Sequence, residues 1–383
     1  MSNTLTKIAP VLYSAAQEVS SEPFGIIQNI ATDFNNQGVA IGDKVKVSVA
    51  PTRSTGDYSP NMNLNAGSTG TAATAGAEEV SIDANKVVTW HLTGEQMRSL
   101  ENGNNYDEWV RQLVAQGMRA LRNGAEKEAA KAIKIGASRA TGEAGVTPFA
   151  TSLKDAVAVR KILRNNGAPL SDVSLAFDSS VEANLLNLGI VQQAYAAGSE
   201  QERRRGVLLP QMGMRMVTTA GIDEHDAGTT STAYQTNAQT NASLTTIVVK
   251  EGAGSTIKAG DVFQIADDPA GGLYVANADV DTHSDDLLIN RPGLLAQVDA
   301  SKAITLEGDY TPALAFERNA VVAVMRPPLI PNNANINQIV VTDQFGMSYL
   351  FCEVIGDGVI TWRLHLAYGF KVVQPEHVAI LMG

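Results

Sequence analysis

The run from Asn105 to Ile133 constrains this chain most. Tyr106, Trp109, Val110, Leu113, Val114, Gly117, Met118 and Leu121 recur at helical spacing, and the stripe continues through Ala125, Ala129, Ala132 and Ile133. One apolar face on so long a run predicts a single amphipathic helix. Asn105, with Glu108 three residues on, supplies a start signal of the capping-box kind. Roughly thirty residues at about 1.5 Å each make a rod of about 45 Å, longer than most globular helices. Such a rod can be the backbone of an elongated molecule.

The segments before the rod are of three kinds. From Gly42 to Val49, Val45, Val47 and Val49 alternate with Lys44, Lys46 and Ser48, the pattern of a half-buried strand. From Pro51 to about Ala77 large apolar side chains nearly vanish among Gly, Ser, Thr and Asn, so this stretch cannot build a core. Lys86 to Leu92 reads as a second strand, and pairing it with Gly42 to Val49 predicts a long hairpin whose tip is the polar segment. Residues 1–35 carry scattered apolar positions without periodicity and read as an arm that needs a surface to lie on.

Beyond the rod the pattern is α+β. Ser152 with Asp155 opens a helix whose apolar positions run to Leu163, and Gly167 supplies a left-handed stop before Pro169. Val173 to Phe177 is a short buried-type strand, and Ser179 with Glu182 caps a helix through Leu186. After Asp226 a polar linker leads into four short β-type runs, at Ile247 to Lys250, Gly260 to Ala266, Leu273 to Ala276 and Ala303 to Gly308. Residues 228–312 are therefore expected to form a small β-barrel or sandwich inserted into the preceding domain. Asn319 to Met325 is expected to return to that domain as a central strand before Pro327 and Pro328 end it. Ile360, Trp362, Leu364, Leu366 and Tyr368 alternate with Thr361, Arg363, His365 and Ala367, predicting a closing strand with one buried face. No repeat of solenoid period is visible.

Charge and cysteine content narrow the function classes. With 40 acidic and 29 basic residues among 383, the net charge of -11 sets a field that repels polyphosphate and disfavours specific nucleic-acid readout. A container for DNA stays permitted, since its walls need not bind the contents. Cys352 is the single cysteine, which removes any intrachain disulfide framework and any multi-cysteine zinc site. Within Tyr349, Leu350, Phe351, Cys352 it reads as a buried structural thiol. No stretch approaches the roughly 18 apolar residues of a membrane span, and the first residues do not resemble a secretory signal. The expectation is a soluble chain made inside the cell.

Few residues suggest chemistry. Asp223, Glu224, His225 and Asp226 crowd ligand types together, but adjacent residues cannot all face one ion without unusual backbone, so a solvated loop is the better reading. His283 with Asp281, Asp285 and Asp286 reads the same way. Glu202, Arg203, Arg204, Arg205 and Gly206 form the one basic run, a solvated loop in preference to a contact with an acidic neighbouring subunit or with phosphate. Gly252 to Gly260 lacks the lysine followed by Ser or Thr that a phosphate loop needs. No Gly-x-Ser-x-Gly motif appears. No catalytic residue, cofactor or metal ligand is assigned.

The order of parts is arm, strand, polar loop, strand, long helix, compact α+β domain with a β insertion, and closing strands. It resembles the Hong Kong 97-like capsid fold of tailed-phage major capsid proteins. STIKAGDVFQIA followed by KAITLEG, and the ending WRLHLAYGFKVVQPEHVAILMG, are similar to the coat-protein branch of the short-tailed enterobacterial phages, which carries an inserted β domain. The resemblance implies an N-terminal arm at 1–35, an extended loop at 36–98, and a peripheral domain with a spine helix at 99–150. It implies an axial domain at 151–227 that returns at 313–333, an inserted β domain at 228–312, and closing strands at 334–383. It further implies a non-catalytic subunit that self-assembles into pentamers and hexamers of an icosahedral virion shell. The implied partners are a separate scaffolding protein, a portal and packaged double-stranded DNA bound without sequence preference, with no membrane. Asp57, Tyr58, Arg203, Arg204 and Arg205 are the expected subunit contacts. The rival readings are a β-rich adhesin or tail-associated binding module, suggested by the Thr, Ser and Asn content, and an enzyme built on residues 223–226.

Overall fold

The computed structural model describes residues 5–20, 25–34, 39–49, 76–102, 106–189, 210–229, 234–250, 255–280, 286–330, 336–356 and 358–383. The chain begins with a helix, α1 (Leu5–Ser20), where the sequence reading expected an arm without periodicity. Ile8, Leu12, Ala15, Ala16 and Val19 are buried and lie on one helical face, with small alanines keeping the stripe inconspicuous. Pro10 is in the second turn and faces solvent, so the lost hydrogen bond falls on the wet side.

Next come β1 (Ala31–Phe34), β2 (Lys44–Val49), β3 (Gly76–Ser81), β4 (Ala84–Thr93) and the short helix α2 (Gly94–Asn102). The expected hairpin is corrected here. β2 pairs antiparallel with β3, Val45 opposite Val80, and not with Lys86 to Leu92. That segment, as β4, pairs along its full length with a strand near the other end of the chain. Local alternation identified both strands, but it carries no information about a partner so distant in sequence.

The rod is α3 (Tyr106–Gly136), 31 residues or about 46 Å, with Val110, Val114, Met118, Leu121, Ala125, Ala129 and Ile133 buried. After it come β5 (Arg139–Gly142), α4 (Lys154–Asn165), β6 (Val173–Phe177), α5 (Ser179–Asn187) and β7 (Arg215–Thr218). The Asp178 carboxylate, one residue before the expected Ser179, caps α5 by accepting from the N–H groups of Ser180 and Val181.

A run of short strands follows: β8 (Tyr234–Thr236), β9 (Thr246–Lys250), β10 (Val262–Ile265), β11 (Leu273–Val275), β12 (Asp286–Leu288) and β13 (Ala303–Leu306). They enclose a buried cluster of their own that includes Tyr234, Ile247, Phe263, Tyr274 and Ile304. The chain closes with β14 (Pro312–Glu317), β15 (Val321–Arg326), β16 (Ile336–Thr342), β17 (Ser348–Ile355), β18 (Val359–Val372) and β19 (Val378–Met382).

The strands build two large sheets in an α+β molecule. One runs β1-β15-β18-β17-β16, with β4 on the free side of β18. The other follows the path β12-β9-β8-β13-β10-β11-β5-β19-β14-β6-β7, so the short strands continue into the body through the β11–β5 pairing. Asn319 to Met325 is therefore corrected as well. It belongs to β15 in the first sheet, and the strand that returns beside β6 is β14.

Continuous apolar runs arise because these strands are covered on both faces. In β15, Val321, Ala323 and Met325 join the cluster containing α1 and α3, while Val322 and Val324 lie under the β2–β3 hairpin. In β14, Leu314 and Phe316 face α3, while Ala313 and Ala315 face the cluster around α4 and α5. Gly369 of β18 marks the closest approach, since an added Cβ would lie 1.9 Å from the Ser81 carbonyl oxygen. Among the described residues no helix is long and apolar enough to cross a membrane.

Candidate assembly surfaces and the joint at the end of the long helix

The first candidate surface is the β2–β3 hairpin with the outer side of β4. Among the described strands β2 and β3 pair only with each other. Charges hold the hairpin to the body: Lys371 Nζ of β18 lies 2.8 Å from the Glu78 carboxylate and donates to the Glu79 carbonyl at 3.0 Å. Lys44 pairs with the Glu79 side chain at 2.9 Å. The lysines hold both carboxyls below their ordinary range, Lys371 acting on Glu78 and Lys44 on Glu79.

Beside the hairpin's support, β4 leaves Val87 48% exposed. Trp90, Leu92, Trp109 and Leu113, with Gln96 and Ser99 of α2, line an open groove of about 540 Å³. Trp90 sits directly over Gly117, where an added Cβ would fall 2.3 Å from the indole. Gly117 thus lets β4 seat an aromatic ring on α3.

The second place is the C-terminal end of α3, where the short-strand unit is fastened. The last carbonyls of a helix have no intrahelical donor. Asn290 Nδ2 supplies one, donating to Ile135 O at 2.7 Å and to Ala137 O at 2.9 Å. Arg139 donates to Gly293 O at 2.7 Å, and its guanidinium sits 4.6 Å from the Tyr274 ring centroid, a cation–π contact. Burial pushes the Tyr274 phenol up to about 12.

Next to these contacts lies a polar chain. Lys134 Nζ is 3.0 Å from His225 Nδ1, and His225 Nε2 is 2.8 Å from Asp261 Oδ1. An ammonium can only donate, so Nδ1 is the acceptor and Nε2 carries the proton that Asp261 receives. Asp261 is 1% exposed and also accepts from the N–H groups of Gly228 and Lys258. Burial, and then the nearby Lys131, lower the Lys134 pKa.

His225 and Tyr310 bracket the unit. Their backbones bridge, with His225 N donating to Tyr310 O at 2.8 Å, and the rings lie 5.1 Å apart. The Tyr310 hydroxyl donates to Gly260 O at 2.6 Å, and burial drives its pKa well above the ordinary phenol value.

The solvated loop expected at 223–226 is thus half corrected. Asp223, Glu224 and Asp226 are exposed, and Asp223 pairs with Lys127 at 2.9 Å. His225 is buried. Its partners lie 91 and 36 residues away in sequence, so local reading had no signal for them. Asp261, a charged residue near the start of the β-type run Gly260 to Ala266, was the one available hint.

Asp57, Tyr58, Arg203, Arg204 and Arg205 lie outside the described residues, as do residues 281–285 around His283. Among the described residues no group of three or more His, Cys, Asp or Glu is placed to hold a metal ion. Cys352 is buried, and desolvation pushes its thiol up to about 11.

No protein-family model matches the chain, and no curated protein matches it. Solved structures do. One from Mycobacterium phage Che8 is similar at 15% identity over 94% of this chain and 93% of that one, with a TM-score of 0.44. The capsid structure of the cyanophage P-SCSP1u is similar at 14% identity, over 94% and 89%, with a TM-score of 0.46. A virus-like particle from Pyrococcus furiosus is similar at 9% identity, over 97% of both chains, with a TM-score of 0.45.

Proposed function

We propose that this chain is a major capsid subunit of the Hong Kong 97-like kind, which self-assembles into an icosahedral shell around a phage genome and performs no catalysis. The observation that carries the reading is the β2–β3 hairpin. It pairs with no other described strand, it is pinned to the body by Lys371, and it leads into a polar stretch with too few apolar residues to fold alone. In a lone molecule such an element pays ordering entropy for little burial; laid across a neighbouring copy it gains contacts.

In this reading α3 is the spine helix and residues 228–312 are an inserted β domain on the axial domain. Asp57 and Tyr58 on the extended loop, and Arg203, Arg204 and Arg205, are subunit contacts. A separate scaffolding protein and a portal take part in assembly, and DNA is enclosed without sequence-specific binding. The subunit is made in the host cytoplasm and resides in the virion.

Sedimentation followed by negative-stain electron microscopy tests this, with the chain expressed alone and together with its genomic neighbours. Closed shells or curved sheets of ring-shaped capsomers are expected. Small discrete particles under both conditions would overturn the proposal in favour of a binding module. Deleting residues 55–74 should leave a folded chain that no longer forms capsomers.

A further inference from the structure

We infer that Lys134 is a reactive amine, a site of covalent acylation by small activated carbonyl compounds, primed by His225 and Asp261. Three observations converge on this side chain. It is half-buried and lines a surface pocket of about 230 Å³ together with Lys131 and Pro312, so a small reagent can reach its surroundings. Its Nζ lies 3.0 Å from His225 Nδ1, and the opposite ring nitrogen is 2.8 Å from the carboxylate of Asp261. That carboxylate is held by two backbone N–H groups and is 1% exposed, so the imidazole is fixed in the tautomer that presents a lone pair to the amine.

A carboxylate, an imidazole and a nucleophile in this order is the arrangement by which an enzyme base strips a proton from a poor nucleophile. In this protein the nucleophile is nitrogen. The step balances without a further reactant. Lys134 passes one ammonium proton to His225 Nδ1, and the imidazolium formed is stabilised by Asp261. The freed nitrogen lone pair attacks the carbonyl carbon of an activated ester or acyl phosphate. The bond from that carbon to the leaving oxygen then breaks, and the leaving group departs with the electron pair. The nitrogen gives up its extra proton to solvent, leaving a neutral amide. Desolvation first, and then the charge of Lys131, disfavour the ammonium form and outweigh Asp261, Asp223 and Asp226, whose negative charges favour it. Lys127 and Lys131, on the same helix and in the same pocket, serve as internal comparisons. Lys127 is engaged by Asp223 and neither is joined to an imidazole in the contacts described.

The consequence for the fold is specific. An acylated Lys134 loses its charge, so the tie between the end of α3 and the segment entering the short-strand unit weakens.

The test uses the full-length chain with acetyl phosphate and, separately, N-hydroxysuccinimidyl acetate, each at limiting amount. Site-resolved initial rates are read by mass spectrometry from pH 6 to 10, with a second isotopic label applied after denaturation. Lys134 is expected to react several-fold faster than Lys127 and Lys131 near neutral pH, and its rate should level off at lower pH than theirs. His225→Gln and Asp261→Asn should bring Lys134 down to the rate of its neighbours while theirs stay unchanged. A Lys134 rate no greater than that of Lys131, or a pH profile parallel to it, overturns the proposal from the unmodified chain alone, whether or not either variant folds.

Discussion

The two halves of α3 hold their neighbours by different physics. Toward its N-terminus Val110, Val114, Met118 and Leu121 bury an apolar stripe against α1 and the six-stranded sheet. Toward its C-terminus the short-strand unit adds polar contacts, through Asn290, Arg139 and the Lys134–His225–Asp261 chain, to the apolar contribution of Val262 and Val275. Apolar burial is non-directional and scales with area removed from water, so it supplies most of the stability and little angular precision. Hydrogen bonds between buried groups add modest net energy, but leaving one partner unsatisfied is costly. The first half therefore fixes that the parts stay together, and the second fixes how the short-strand unit is oriented.

Truncating the apolar half should have the largest effect. Met118 is fully buried within the main cluster, so Met118→Ala should cost about 2–5 kcal/mol. Urea unfolding of the unassembled chain would measure it. The change should be insensitive to pH, and a loss well under 1 kcal/mol would mean that α3 is not held by its stripe. Asn290→Ala should cost less, about 1–3 kcal/mol, by leaving two helix-terminal carbonyls without their donor. Its signature is spatial: amide exchange should quicken in β8 to β13 and at the end of α3, and stay unchanged in β15 to β18. Uniform quickening would erase the distinction between the two halves.

The same division explains what was legible in the sequence. The α3 stripe, the β6 pentapeptide and the alternation of β18 are local periodicities, and each element lies where its pattern put it. Burial follows the β18 pattern at Trp362, Leu364, Leu366 and Tyr368 inside and Arg363 out, but Ala367 on the opposite face is buried as well, in the cluster under the β2–β3 hairpin. What escaped was either non-local or disguised. The pairing of β4 with β18 joins Trp90 to Trp362, and nothing in either segment names the other. α1 escaped because Pro10 and small alanines masked a regular stripe. The polar joint escaped because single His, Asp and Lys residues show no period, and only the folded chain brings them together.

The packing around α3 also encloses carboxyl groups, and pH can expose them. Asp343, in the turn between β16 and β17, is 9% exposed and accepts from the N–H groups of Phe345 and Met347, yet burial pushes its carboxyl up to about 6. Burial likewise raises Glu126, which accepts from the N–H groups of Ile26 and Ile27. A carboxyl whose pKa rises on folding binds its proton more tightly in the folded state. Its contribution is fully present below the unfolded value near 3.8 and is lost as pH rises through about 6. Stability should thus fall between pH 4 and 7 by an amount on the order of 2–3 kcal/mol from Asp343. Asp343→Asn should flatten that slope, read as unfolding midpoints across the same range. An unchanged slope would place the pH dependence elsewhere.

The smallest effect on stability belongs to the hairpin, and it separates the hairpin from both halves of α3. Lys371 holds Glu78 and the Glu79 carbonyl from a side chain that is 41% exposed, so the pair is screened by water and worth less than about 1 kcal/mol. Lys371→Ala should therefore leave the unfolding midpoint of the isolated chain nearly unchanged. Its effect should appear as faster amide exchange confined to β2 and β3, whose other support is the apolar contact of Val45, Val47 and Val80 with Val322 and Val324. If that contact alone kept the hairpin protected, the lysine would be a surface ornament and the hairpin part of the body. If exchange rises only there, the hairpin is an element held loosely in the single subunit, which is the condition under which binding to a second copy can order it.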